Sequence, residues 1–436
     1  MKKLTYVLIG AGQRGRRYTE NAYRYQNCEL VAVAEPNDYL REVWTQKYNV
    51  PKSMCFRSYE EVFALGRIAD FAVICTQDKL HFAPAMKAIE LGYNILLEKP
   101  VAPTPEECMA VCEAAEKKGV HVMVCHVLRY TPFARKVKDI LDSGRLGRIM
   151  SVVHVEGVGN THYVTTFVRG HWHNSAESSD MLLAKSCHDI DLLQWLLGSR
   201  CVKVQSFGEL SYFTAANCPE GAPERCMDGC PAADRCPYDA TKIYRDFPES
   251  DGGWWKRYIG PRADLSTDEI NDILRNTDYG RCVYRCNNDV VDHQTVNLQY
   301  ENGETVVFTM AAFNKGGRRI HIMGTKGELI STDFDTIELN IFCDDAPERI
   351  GQLRTEYIRT SDEVIDQSIF GGHGGGDVGI IEDLWKLFGD GEATKSVSDI
   401  RTSVLNHMTV FAAEQSRKNG GVLVDVGEYV RQFAKV

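Results

Sequence analysis

Thr5-Tyr6-Val7-Leu8-Ile9-Gly10-Ala11-Gly12-Gln13-Arg14-Gly15 is the stretch on which the fold turns. An apolar, β-branched run stops at glycines spaced G-x-G-x-x-G and passes directly into residues with helical spacing. A strand, a tight turn and a helix in that order aim backbone N–H groups and the positive end of the helix at one point, where a diphosphate is held. The first glycine permits the turn, the second lets a ligand approach the backbone, and the third lets helix and strand pack closely. Gly10, Gly12, Gln13, Arg14 and Gly15 are therefore the expected contacts of a bound dinucleotide. The next strand, Leu30–Ala34, ends at Glu35, an acid placed to take the adenine ribose hydroxyls and to repel a 2′-phosphate. The expected cofactor is NAD rather than NADP, with Arg14 and Arg41 as the residues that would favour a phosphate.

Outward from that turn, short β-branched runs alternate with helical patterns as far as Val120–Cys125, the signature of βαβ units and a doubly wound parallel sheet. Past Gly147 the pattern changes to longer alternating runs at Met150–Glu156, Val202–Glu209, Gln294–Tyr300 and Thr305–Ala311. These predict a second, α+β domain with a large, mostly antiparallel open sheet. The division expected is a Rossmann domain over 1–128 and a substrate-binding and oligomerisation domain over 129–436. The second domain carries an irregular insertion at about 212–280, rich in Pro, Gly, Cys and aromatics. Two helices are expected in the tail, one opened by Asp377 as its cap and one over Ser398–Lys418.

Composition excludes several partners. Across 436 residues the net charge is −10, with acids and bases mixed, so no basic face exists to follow nucleic acid or an anionic membrane. No run approaches the roughly 20 apolar residues of a membrane span. The opening MKKLTYVLIGAG reads as a buried strand rather than an export signal, because it enters Arg14, Arg16 and Arg17 without a cleavage site. Fifteen cysteines are too sparse for a disulfide scaffold in a chain this long, which points to the reducing cytoplasm.

Two further strand ends carry chemistry: Cys75-Thr76-Gln77-Asp78-Lys79-Leu80-His81 and Leu96-Leu97-Glu98-Lys99-Pro100. Together with GAGQRG at 10–15, the whole block from Cys75 to Pro100, HDIDLLQWLLG at 188–198 and IMGTKGEL at 322–329, they resemble the glucose-fructose oxidoreductase/inositol dehydrogenase (Gfo/Idh/MocA) family over essentially the whole chain. The resemblance implies that Lys99 lies beside the nicotinamide and the reacting hydroxyl, and that His188 works in proton transfer. It makes Thr76, His81, Glu98 and Lys99 further cofactor contacts, and it implies a homo-oligomer built through the open sheet. Physical chemistry agrees, since removing a hydride from an alcohol carbon requires its proton to leave at the same place and imidazole titrates near neutrality. One position departs from the pattern: Ala184 stands where the family's dehydrogenases commonly have aspartate. Lys185, three residues before His188, is the expected substitute, with a neutral amine as base; otherwise it is a surface residue paired with Asp189. Asp191 is expected to orient the imidazole.

The stretch His162, Tyr163, Arg169, His171, Trp172, His173 combines polar groups with flat rings, as a sugar requires. With His126, Arg129, Asp189, His293 and His373, the last within GHGGGD at 372–377, Tyr163, Arg169 and Trp172 form the expected substrate set. Cys218, Cys226, Cys230 and Cys236 admit a structural zinc, free buried thiols or disulfides. The expected function is NAD-dependent oxidation of a secondary hydroxyl of a sugar, cyclitol or glycoside. The alternatives are a redox-neutral glycosidase or lyase acting through a transient keto sugar, and a non-catalytic NAD-binding regulator.

Overall fold

Six short strands build the first sheet: β1 (Leu4–Ile9), β2 (Cys28–Ala34), β3 (Cys55–Phe56), β4 (Phe71–Ile74), β5 (Asn94–Leu97) and β6 (Val122–Val124). All are parallel, in the order β3-β2-β1-β4-β5-β6. β4 and most of β1 are buried along their length, as helices on both faces of a parallel sheet demand. The connecting helices are locally specified. Thr104 caps Pro105–Lys118 by accepting the Glu107 N–H, proline stands in its first turn, and Gly119 ends it in the left-handed region at φ 71°. Strand order reverses between β1 and β4, which opens a crevice at their carboxyl ends. The computed structural model describes residues 3–24, 27–246, 255–342, 351–364 and 373–433.

The second sheet comprises β7 (Ile149–Gly157), β8 (Cys201–Glu209), β9 (His293–Tyr300), β10 (Thr305–Ala311), β11 (Gly317–Gly324), β12 (Gly327–Ser331), β13 (Thr336–Ile341), β14 (Arg354–Arg359) and β15 (Val424–Asp425). Its order is β14-β13-β12-β11-β7-β10-β9-β8-β15, and only the β7–β10 pair is parallel. Each alternating run read from the sequence falls in one of these strands. β9 shows why: Gln294, Val296, Leu298 and Tyr300 are buried while the residues between them are not. One face packs against the helix Ile400–Lys418, where the Ser416 hydroxyl accepts the Ser206 N–H and Gln294 donates to Glu414. The other face leaves Val153, Phe207 and Val307 exposed.

Two expectations need correction. The insertion is less irregular than read, since Thr267–Asn276 is a helix opened by a Ser266/Glu269 capping box. Its only buried residues are Ile270 and Leu274, too few to show a period. Asp377 does not cap its helix: Gly376–Trp385 starts after Gly375 in the left-handed region, and the Asp377 carboxylate turns to Arg14 instead. That helix also returns to the first sheet, where Ile380, Ile381 and Leu384, with Leu387 just after the helix, join a core with Leu4, Tyr6, Leu8 and Phe71. Among the described residues no helix is long and apolar enough to cross a membrane.

Candidate active site

The glycine turn separates what the protein needs from what a ligand needs. A Cβ at Gly10 (φ +88°) would lie 2.7 Å from the Cys75 carbonyl oxygen, and one at Gly15 would lie 2.3 Å from that of Gly10. A Cβ at Gly12 would meet nothing within 4 Å. The outer glycines thus serve packing, whereas Gly12 borders open space suited to a diphosphate at the start of the helix Gln13–Arg24. Glu35, 7% exposed, accepts the backbone N–H groups of Ala11 and Asn37, each at 2.9 Å. Its carboxylate retains acceptor sites for ribose hydroxyls. Arg41 is spent on Asp38 and on the Glu35 and Pro36 carbonyls, so it is not aimed at a 2′-phosphate. The donor set therefore fits NAD.

Other expected cofactor contacts turn inward. Arg14 donates to Glu98 at 2.6 Å, to Asp377 at 2.8 Å and to the Tyr18 hydroxyl, forming a buried cluster under the turn. Burial alone would raise the Glu98 and Asp377 carboxyls, but Arg14 outweighs it and holds both below their ordinary values. The Thr76 hydroxyl donates to the Leu80 carbonyl at 2.8 Å. The His81 ring spans the carbonyls of Pro100 (2.6 Å) and Thr76 (2.9 Å) and so braces the loops after β4 and β5 against each other. Gln13 stays at the surface and donates to the Arg257 carbonyl at 2.7 Å, which ties the insertion to the turn.

At the carboxyl end of β5, the Lys99 ammonium donates to the Ala184 carbonyl at 2.7 Å and lies 5.9 Å from the centre of the Trp172 ring. A backbone oxygen of residue 184 thus holds the amine. Trp172 is fixed in turn, its indole N–H shared by both Asp78 oxygens at 3.1 Å, with Ser179 donating to Asp78 at 2.6 Å. His188 is 6% exposed, and its Nδ1 has no partner among the described residues. Burial, with Lys99 and His126 nearby, pushes its imidazole well below the usual range, so it is neutral at pH 7. His373 stands 6.0 Å from it, ring to ring, and contacts Asp377 at 3.1 Å. Gly372 lies outside the described residues.

Lys185 is not a surface residue. Its amine lies 3.5 Å from Glu156, whose other oxygen lies 2.7 Å from Arg318. Arg318 also makes a two-pronged contact with Asp189 at 2.7 and 3.0 Å, and the His154 ring takes the same carboxylate at 2.7 Å. One guanidinium serves two buried carboxylates. Burial raises Asp189, but Arg318 and His154 hold it well below its ordinary value; burial raises Glu156 and lowers Lys185, so that pair moves toward its uncharged form. Glu156 and Arg318 escaped the sequence reading because they face each other across the β7–β11 pairing, which no spacing along the chain reveals. Asp78 was within reach, since it sits in the motif that ends at His81.

Much of the expected substrate set is buried or tied to other protein groups. Arg129 is locked to Asp191 at 2.5 and 2.6 Å, with Asn406 on the same carboxylate, so Asp191 does not orient His188. His126 is fully buried between His188 and His407. Tyr163 stacks on Phe167 and Phe213 and donates to the Val291 carbonyl at 3.0 Å. Arg169 is bound to the carbonyls of Arg281 and Tyr238, and exposed His293 to Asp292 at 2.8 Å. Asp189 is fully buried. Of that set, Trp172 lies beside Lys99 and His373 beside His188. The zinc expectation is also not supported: among the described residues no three His, Cys, Asp or Glu side chains are arranged to hold a metal. Cys226, Cys230, Cys236 and Cys282 border one cavity of about 20 Å³. Burial pushes the Cys282 thiol up to about 12 and that of Cys286 to about 11, which keeps them protonated. All the described cysteines are free.

Residues 4–126 match the oxidoreductase family with an NAD-binding Rossmann fold, and residues 138–375 match that family's C-terminal alpha/beta domain. YteT of Bacillus subtilis (strain 168), described as an oxidoreductase, is 25% identical over 339 residues, 75% of this chain and 74% of its own length. The inositol 2-dehydrogenase of Corynebacterium glutamicum (strain R) is 26% identical over 209 residues, 47% of this chain and 57% of the relative. A solved levoglucosan dehydrogenase, in complex with NADH and L-sorbose, shares the fold with a TM-score of 0.71 at 18% identity, covering 98% of this chain and 99% of that one. The chain belongs to the Gfo/Idh/MocA oxidoreductase family.

Proposed function

We propose that this member of the Gfo/Idh/MocA family oxidises a secondary hydroxyl of a sugar, cyclitol or glycoside, with NAD as the cofactor. Bound NAD would supply the hydride acceptor. The turn at Gly10–Gly15 and the helix behind it bind the diphosphate, and Glu35 takes the adenine ribose. Lys99 holds the alcohol oxygen through its ammonium, and the neutral His188 accepts the hydroxyl proton on its imidazole. Lys185, with Glu156 behind it, donates to a neighbouring hydroxyl in the place left by the missing carboxylate at 184. The Trp172 ring, fixed by Asp78, offers its flat face to the C–H side of the substrate. The observation that carries this reading is the convergence of Lys99, Trp172 and His188, whose Nδ1 has no partner among the described residues, at the carboxyl ends of the strands beside the glycine turn.

The same reading makes the open sheet face, with Val153 opposite Val307 and Phe207 nearby, the contact surface for a second copy of the chain. It also places the protein in the cytoplasm, where free thiols persist. The test is a panel of polyols, free sugars and glycosides with NAD⁺, read by NADH absorbance. Sustained NADH formation with at least one of them is expected. Cleavage of aryl glycosides without net NADH, or tight NAD binding with no turnover on any member, would overturn it in favour of a lyase or a regulator. Sedimentation should show a dimer or higher species.

A further inference from the structure

The insertion reaches the glycine turn from outside through Trp255–Gly260. Gln13 on the glycine turn donates to the Arg257 carbonyl at 2.7 Å, so this strap is anchored at the dinucleotide edge. On it Trp255 and Tyr258 stand 5.8 Å apart, ring centre to ring centre, and His162 stands 6.3 and 6.1 Å from them. All three rings are half-buried, so each keeps part of its surface accessible. The Gln13–Arg257 contact sets the trio beside the glycine turn, and Lys185, His373 and Arg318 lie close enough to bear on His162, as Arg14 does on Tyr258. Arg257 adds a donor: its Nε is buried with no acceptor among the described residues. Three rings packed at angles, beside an unsatisfied guanidinium N–H, suit a ligand that is flat and apolar on its face and polar at its rim.

Resting on the proposed sugar oxidation, we infer that Trp255, Tyr258 and His162 form a second subsite, which takes the outer ring of a two-ring glycoside while the ring being oxidised lies at Lys99 and His188. The substrate is then a glycoside with a sugar or aryl aglycone rather than a free monosaccharide or cyclitol. Stacking of this kind favours a ring-bearing aglycone over a methyl group by about three- to tenfold. The experiment uses the full chain with NADH bound, and methyl glycosides, 4-nitrophenyl glycosides and disaccharides of the gluco, galacto and manno series in both anomers. Dissociation constants from calorimetry are compared with KM values from NADH formation with NAD⁺.

Ring-bearing glycosides should bind about three- to tenfold more tightly than the matching methyl glycosides. Trp255→Leu should abolish that ratio and Trp255→Phe should keep most of it, with NADH affinity reporting an intact crevice. Tyr258→Leu provides a second variant should Trp255→Leu fold poorly. The 4-nitrophenyl and disaccharide arms distinguish an aryl from a sugar aglycone. An unchanged ratio in both leucine variants, or no preference in the wild type, overturns the subsite even if NADH is formed. A preference that depends on Trp255, with no NADH from any compound, leaves the subsite standing and overturns the oxidation instead.

Discussion

The two walls of the crevice are built in opposite ways. The dinucleotide wall is made of backbone: a turn whose outer glycines are imposed by contacts with Cys75 and Gly10, lined by N–H groups and helix ends. The proposed substrate wall is made of side chains brought from far apart, with Glu156 on β7, Lys185 and Asp189 flanking His188, and Arg318 on β11. A wall of backbone tolerates little change at a few glycines and much elsewhere. A wall of buried charges holds only while every partner is present, because an ion stripped of both water and counterion is costly.

The largest expected effect falls on the side-chain wall. Arg318→Ala leaves Asp189 and Glu156 buried without their shared cation and should cost about 3–5 kcal/mol, read from urea denaturation. A loss under about 1 kcal/mol would mean that water reaches this cluster and that the contrast between the walls is overdrawn. Next comes Lys99→Ala, which should lower kcat by at least about a hundredfold with NADH affinity little altered, as expected of a group acting in the reaction. Near-normal turnover would remove Lys99 from the chemistry.

The backbone wall is probed by a pair of substitutions. Gly12→Ala meets no protein atom, so the melting temperature should barely move while NADH affinity falls on the order of tenfold. Gly10→Ala meets the Cys75 carbonyl at positive φ and should cost about 1–3 kcal/mol of stability. Equal effects from both would erase the distinction between packing and ligand glycines. The smallest effect is acid-dependent. Asp377 is held below its ordinary value in the folded state, so its contribution is present above the unfolded carboxyl range and fades as pH falls through it toward the folded value. Asp377→Asn should therefore lower the melting temperature at pH 7, with the gap to wild type narrowing below about pH 4. A gap constant from pH 7 to 3 would show that the Arg14 pairing is not what matters there.

The contrast also explains what was legible. Glycine spacing, the acid after β2 and the Cys75–Pro100 block are local patterns, and each landed at the carboxyl edge of the first sheet. The alternating runs of the second domain likewise appeared as strands. By contrast, Tyr163, Arg169 and Arg129 were singled out for donors and rings, and proved to be buried braces. The same residue types line a sugar pocket and hold a loop in place, and only burial separates the two. Asp377 suited a helix cap in sequence, but Arg14, 363 residues away, supplied a stronger partner.

The amino-acid sequence by itself determined the elements and the dinucleotide edge, because strand, turn, helix and glycine geometry depend on neighbours within a few residues. Tertiary structure alone decided which carboxylate each buried cation meets, that the helix Gly376–Trp385 returns to the first sheet, and that the insertion's strap reaches the glycine turn. Those outcomes follow from desolvation: a charge or an apolar face taken from water pairs with whatever the packed fold sets beside it, however distant along the chain.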